Sequence, residues 1–389
     1  MVPEGWVKRD LEGLITIKHG FAFKSEHFTN SGELVLLTPG SFNETGGFRE
    51  QGEKTKYYTG AVPDGYLLEK GDMLLAMTEQ AEGLLGSALF VPENNKYLHN
   101  QRLGLVQIIQ PDRISIDYLY LFFNSEPSRK QITEQSTGTK VKHTSPGRLC
   151  SVVGLIPPLS EQKKIAQILS TWDKAITTTE QLLANSQQQK KALMQQLLTG
   201  KKRLLDDNGV RFSGEWKHGF LSDMAKIAKG KALSSKNLTE GNYPVIAGGK
   251  TSPYSHSKFT HENIITVSAS GAYAGYVAYH PHKVWASDCS VVAAKKNSHT
   301  LFIYQLLTYL QNKIYSLQSG GAQPHIYPKD LDTLKVFIPS SAEQQKIASA
   351  LSSADEGIDS LQQKIEALKQ EKKALMQQLL TGKRRVKLN

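Results

Sequence analysis

The sequence predicts a mixed α/β (α+β) protein made by tandem duplication: two α/β domains alternate with two long helices, which pair as an antiparallel intramolecular coiled coil about a pseudo-two-fold axis. Three observations carry this. Residues 190–201 recur unchanged at 372–383, and the same shift of 182 aligns Ile156–Arg203 with Ile338–Arg385, with 26 identities in 48 positions. Each copy carries a heptad seam. The segments before each copy also share one order of strand-like and helix-like runs.

Taken along the chain, Trp6 to Gly20 echoes Trp216 to Gly230 at a shift of 210, so the first variable region holds about 28 more residues than the second. Strand-like runs are expected at 73–77, 87–91 and 103–109, matched by 264–267, 276–279 and 290–294. Helices are expected at 116–132 and 301–317, each followed by a glycine-bearing loop and a short run into Ile156-Pro157 or Ile338-Pro339. From there a proline-free stretch reads as one long helix, with Ser160 or Ser341 as N-terminal acceptor and Gly200 or Gly382 as left-handed C-cap.

The seam of the second copy is Ile347, Leu351, Ala354, Ile358, Leu361, Ile365, Leu368, Leu375 and Leu379, with Lys372 in its one gap. The first-copy positions are Ile165, Leu169, Trp172, Ile176, Thr179, Leu183, Ser186, Lys190, Leu193 and Leu197. One such seam would fit an amphipathic helix lying on its own domain. Two alike in one chain point to each other, since like surfaces pair about a two-fold. The boundaries that follow are 1–155 and 204–337 for the α/β domains, 156–203 and 338–385 for the helical regions, and a tail at 386–389.

The chain has 389 residues, 39% hydrophobic and 21% charged, a composition of folded domains. No apolar run reaches bilayer length and the start lacks a signal-peptide pattern, so a cytoplasmic location is expected. Cys150 and Cys289 form no CxxC pair, which excludes cysteine-built zinc and a disulfide framework. The net charge of +11 points to a polyanionic partner. Its distribution is uneven: −2 over 1–155, +5 over 156–203, +5 over 204–337 and +3 over 338–389.

Enzymatic motifs fail one by one. Gly249-Lys250-Thr251 ends like a phosphate-binding loop, but Pro244 stands where its first glycine belongs. Gly271 to Gly275 reads as a hairpin turn, no GxGxxG is present, and His280-Pro281-His282 lacks nearby cysteine or paired acids to complete a metal site. No step for base methylation and no acid-x-Lys at nuclease spacing appears. What remains is a pair of donor-rich loops at matching places. Lys140, Lys142 and His143 in one, and Gln323, His325, Tyr327 and Lys329 in the other, suit base edges and phosphates, although a solvated surface loop would carry the same residues.

The Ile156 to Ala166 run, IPPLSEQKKIA, repeated as IPSSAEQQKIA at 338–348, resembles the specificity (S) subunit of type I restriction-modification systems. KALMQQLLTG and the Arg211 to Trp216 linker are similar to that family too. The resemblance covers 1–385 in architecture, and Ser340 and Ser341 stand where the second helix would usually have proline and leucine. It implies two target recognition domains that read the halves of a split, asymmetric double-stranded DNA site. It also implies helices that set the gap, two methyltransferase (modification) subunits using S-adenosylmethionine, and restriction (motor-nuclease) subunits using ATP and Mg. The chain itself would be non-catalytic and hold no metal or cofactor. The specificity component of a related non-type-I methylase or nuclease, a coiled-coil scaffold without nucleic acid, and an enzyme fused to a dimerising helix are the other readings. The 39 residues from Glu161 to Thr199 make a rod of roughly 58 Å, longer than one DNA turn of about 34 Å.

Overall fold

The computed structural model describes residues 2–79, 81–138 and 141–388. The chain divides into two compact units, one comprising Met1–Thr177 with Glu366–Asn389, the other the continuous segment Thr178–Ile365. Each unit therefore holds part of each long helix.

In the first unit a four-stranded antiparallel sheet runs in the order Ile15–His19, Leu103–Ile108, Met73–Ala76, Ala88–Phe90. A five-stranded sheet, built around a parallel pairing of Leu34–Leu36 with Tyr97–Leu98, covers one face. There Leu74, Ala76, Leu89 and Val91 bury against Val35, Leu37 and Phe42. The other face packs on the helices Ile116–Phe123, Glu126–Glu134 and Pro146–Cys150. The expected single helix at 116–132 is thus two. Pro127 cannot extend a helix inward, and the Ser125 side chain accepts from the Ser128 amide to start the second piece.

The second unit repeats this plan with Ala225–Lys229, Cys289–Ala294, Ile264–Ser268 and Val277–His280 in the same sheet order. Its helix expected at 301–317 is also broken, into Thr300–Tyr309 and Gln311–Tyr315, with Leu310 outside helical geometry. The covering sheet has only three strands, Ser255–His256, Tyr243–Ile246 and Trp285–Ala286. Sheet register shows where the first region is longer. Ile17 pairs with Val106 as Ile227 pairs with Val292, and most of the added chain falls between Val35 and Met73, the stretch that supplies the additional strand Leu67–Leu68.

The long helices span Leu159–Leu197 (39 residues) and Ser341–Leu380 (40 residues). Gly200 and Gly382 follow them with φ of 70° and 66°, the left-handed C-caps the sequence predicts. The N-terminal expectation needs correction. Ser160 and Ser341 lie inside the helices; the hydroxyl that receives an amide, from Glu343 at 3.3 Å, is Ser340, and Pro158 occupies that position in the first copy. Every seam position is buried or half-buried. Among the described residues, no helix is long and apolar enough to cross a membrane.

Pairing inside each unit is antiparallel. In the first, Asp173 takes Lys372 at 2.5 Å and Glu161 takes Arg385. In the second, Asp355 takes Lys190 and Glu343 takes Arg203. The partners' positions shift by 182 from one unit to the other, so each lysine that interrupts a seam meets an aspartate of the facing helix.

One buried histidine gives the first unit an acid limit. His99 is fully buried; its Nε2 lies 2.9 Å from the Leu103 carbonyl, and its Nδ1 has no partner, so a second proton would have no acceptor. Burial, reinforced by the charges of Lys18 and His19, pushes its pKa down to about 4. Above about pH 6.5 neither folded nor unfolded chain protonates this ring; between 6.5 and 4 only the unfolded chain does. The expected loss is about 3 kcal/mol, accumulated as pH falls through that window. Urea midpoints of the first unit measured from pH 7 to 4.5 check this, and His99→Gln, which keeps the donor to Leu103 and cannot titrate, should flatten the slope.

Candidate nucleic-acid interface

The two donor-rich loops have one geometry. In the first unit the Thr137 amide donates to the His143 carbonyl at 3.0 Å and the His143 amide returns to Thr137 at 2.7 Å. In the second, Ser319 and His325 do the same at 3.0 and 2.8 Å. These pinched loops turn through Gly138 (φ 103°) and Gly320 (φ 92°), where an added Cβ would lie 2.1 Å from the Val141 carbonyl oxygen and 2.8 Å from that of Gln323. Glycine is required at both turns. Each loop is also stitched to its sheet, Thr78 bridging His143 and Ser270 bridging His325.

The stitching leaves particular side chains outward. His143 is exposed, its Nδ1 3.2 Å from the Thr78 hydroxyl, while Lys142 is half-buried with its ammonium 3.9 Å from Glu79. Lys140 lies outside the described residues. In the second loop Gln323 and Lys329 are exposed, His325 stacks on Tyr327 with ring centroids 6.2 Å apart, and Lys329 stands over the same tyrosine. Tyr327 is 48% exposed. A stacked, outward imidazole and phenol beside an ammonium offer π-faces and donors together, the chemistry that takes bases and phosphates. Among the described residues, no group of three or more His, Cys, Asp or Glu is placed to hold a metal.

Of the helix-pairing residues, Ile165 and Leu169 pack in the first unit's core with Leu375 and Leu379. Leu193, Leu197, Ile347 and Leu351 pack in the second unit's core. Ile176 and Ile365 are buried, and Trp172, Leu183, Ile358, Leu361 and Leu368 are half-buried.

Sequence reasoning did not anticipate the role of Glu161-Gln162 and Glu343-Gln344. Gln162 is fully buried; it accepts from the Ser115 amide and donates to the carbonyls of Arg113 and Pro157. Gln344 accepts from the His299 amide and donates to Pro339. Glu161 accepts the Trp6 indole N–H at 3.2 Å and Arg385 Nε at 3.0 Å; Glu343 accepts Trp216 at 2.9 Å and Arg203 Nη2 at 2.8 Å. The available signal was the set of invariant pairs at shift 182 (Arg203 and Arg385, Glu161 and Glu343) beside the tryptophans at shift 210.

The family model of the type I restriction modification DNA specificity domain matches residues 3–185 and 213–370. The chain is 28% identical over 361 residues to the putative type I restriction enzyme MjaX specificity subunit of Methanocaldococcus jannaschii, covering 83% of this chain and 80% of that one. It is 27% identical over 182 residues to the type I restriction enzyme EcoBI specificity subunit of Escherichia coli, a match that spans 46% of this chain and 35% of that one. In fold it is similar to the crystal structure of a type I restriction-modification S subunit from M. genitalium, with a TM-score of 0.65 at 18% identity and 96% of each chain covered. A second solved structure, from work on assembly of a type I restriction-modification system, aligns with a TM-score of 0.58 at 17% identity over 98% of each chain. With both copies of the repeated plan inside the matched residues, the chain belongs to the type I restriction-modification DNA specificity family, the specificity (S) subunits.

Proposed function

We propose that the chain reads a bipartite, asymmetric duplex DNA site, one half through each unit. In this reading residues 1–155 and 204–337 are the two target recognition domains, and the paired helical regions 156–203 and 338–385 are a scaffold and spacer. The observation that carries it is the pair of pinched loops, alike in backbone and in a glycine and a histidine (His143 and His325) at a shift of 182, and unlike in the other side chains: Lys140 and Lys142 in one, Gln323, Tyr327 and Lys329 in the other. A constant frame with variable donors is what two readers of different half-sites require. The scaffold would hold two methyltransferase subunits, which bring S-adenosylmethionine and methylate adenine, and through them restriction subunits that use ATP and Mg. The chain would choose the site and leave the chemistry to them.

Half-site independence is the direct test. Alanine at Lys142 and His143 should relax base preference in one half only, and alanine at Gln323, His325 and Tyr327 in the other. Removing a bidentate hydrogen-bond pair to a base costs about 1 to 3 kcal/mol at one position. Binding of the chain with its methyltransferase partner to libraries randomised at every position measures this; equal relaxation of both halves would refute two separate readers.

The spacer role makes its own prediction. Four residues added after Ser186 lengthen one helix by about 6 Å, nearly two base-pair rises of roughly 3.4 Å. The heptad seam absorbs part of such a stutter by unwinding, so the gap between methylated halves should grow by about 1 to 3 base pairs with both half-site sequences unchanged. Single-molecule sequencing of methylated adenine in cells carrying the variant reads this out; full methylation at the old gap would rule out the spacer.

A further inference from the structure

One face of the large sheet differs between the units. Strand pairing places Thr266, Ser268 and His280 of the second unit where the first has Leu74, Ala76 and Val91. The three first-unit residues are sealed in an apolar core beneath the five-stranded sheet. In the second unit, where the covering sheet is smaller, the same face lines a cavity of about 30 Å³, closed on its other side by the 246–252 segment. The fold accepts apolar residues at these positions, so it does not itself require the polar set.

That set is rich in donors. Ser268, which lines the cavity, is 4% exposed and its buried hydroxyl has no hydrogen-bond partner. An orphaned buried hydroxyl is costly unless something occupies its site. Thr266, equally buried, shares a 2.9 Å hydrogen bond with His280 Nε2. Lys250 reaches the rim, its ammonium 5.4 Å from the ring centroids of Tyr273 and Tyr276. Among the described residues, the amides of Gly249 and Lys250, which line the cavity, donate to no backbone carbonyl. Asp288, the carboxylate beside Gly248, accepts from the Ser270 hydroxyl and is not part of the lining.

Size and position narrow the ligand. The cavity admits one or two water-sized groups and is at least about tenfold smaller than the roughly 300 to 1,000 Å³ of small-molecule pockets, so a nucleobase does not fit and a pair of phosphate oxygens does. Ser268 is two residues from Ser270, which is stitched to His325, and the Gly271 amide bonds the Pro324 carbonyl, so the cavity adjoins the second reading loop.

We propose that this cavity clamps one backbone phosphate of bound DNA, with Ser268 Oγ and the amides of Gly249 and Lys250 as donors and Lys250 as the cation. The first unit has no equivalent at these positions, so the second supplies a sequence-independent anchor that sets the register of its half-site. This rests on the DNA-reading function proposed above.

The test uses the chain assembled with its methyltransferase subunits, a duplex carrying the recognised site, and a scrambled duplex, between about 50 and 200 mM salt. Ser268→Ala installs what the first unit already carries at Ala76, and Lys250→Ala changes only the rim; melting curves confirm that both fold. Each variant should weaken both duplexes by the same factor, about tenfold. Lys250→Ala should also reduce the slope of log affinity against log salt by about 0.9, while Ser268→Ala leaves the slope unchanged. Unchanged DNA affinity in both variants overturns the clamp, and so does a loss confined to the cognate duplex, which would make the cavity a base reader. Inorganic phosphate at constant ionic strength is the control. If it binds, and the variants abolish that binding without touching DNA affinity, the cavity serves a free anion and the proposal falls. An unmodified assembly that binds neither duplex refutes the DNA-reading function itself, and the clamp with it.

Discussion

A buried carboxylate in the first turn of each long helix holds the architecture together. Glu161 and Glu343 are 5% and 1% exposed, and a charge so placed is tolerated only when its oxygens are fully paired. The partners are an indole from the start of the same α/β domain and a guanidinium from beyond the end of the facing helix. The guanidinium lies over the indole, 5.6 Å away for Arg385 on Trp6 and 5.5 Å for Arg203 on Trp216. Three distant stretches of chain are thus tied to one group. The acid also sits in the first turn of its helix, where the helix dipole favours negative charge. The adjacent glutamine ties that turn to the loop leading into the sheet-packing helix, so sheet, helix start and facing helix end are mutually fixed.

Much of the plan was legible because it was written twice. The repeat at 182, the 4-3 alternation of apolar residues and the glycine caps are local or periodic signals, and the structure keeps them within one or two residues. The broken helices were misread because apolar spacing continues across the break, and in the first unit Pro127, at the second position of the new helix, was the signal passed over. The partners of the Glu-Gln pair lie far away in sequence, and no local rule connects residue 161 to residue 385. The loops could be placed by their glycine and histidine. Which of their side chains stay free could not be read, since Lys142 meets a glutamate brought in by the fold.

The two units also show what divergence leaves alone. Backbone pairing in the large sheets is the same strand for strand, yet one face is sealed by Leu74 and Val91 in the first and opened by Thr266 and His280 in the second. Burial constrains the face toward the long helices in both units, where Tyr118 and Phe302 are fully buried. The opposite face changes with the size of the sheet laid over it. Variation is thereby steered to the side of each domain away from the helices.

The interleaving of the helices has a consequence for the order in which a ribosome delivers the parts. The second unit is one uninterrupted stretch, Thr178–Ile365, and has every residue it needs before synthesis ends. The first emerges earliest but lacks its last helical part and Arg385 until Glu366–Asn389 is released. Its sheets can form, yet the carboxylate of Glu161 and the apolar face of Ile165 and Leu169 must wait uncovered through the making of the whole second unit. The domain made first is therefore the one finished last, and the nascent chain carries a half-built apolar surface while the second unit, Thr178–Ile365, is made, the interval in which chaperone protection matters most.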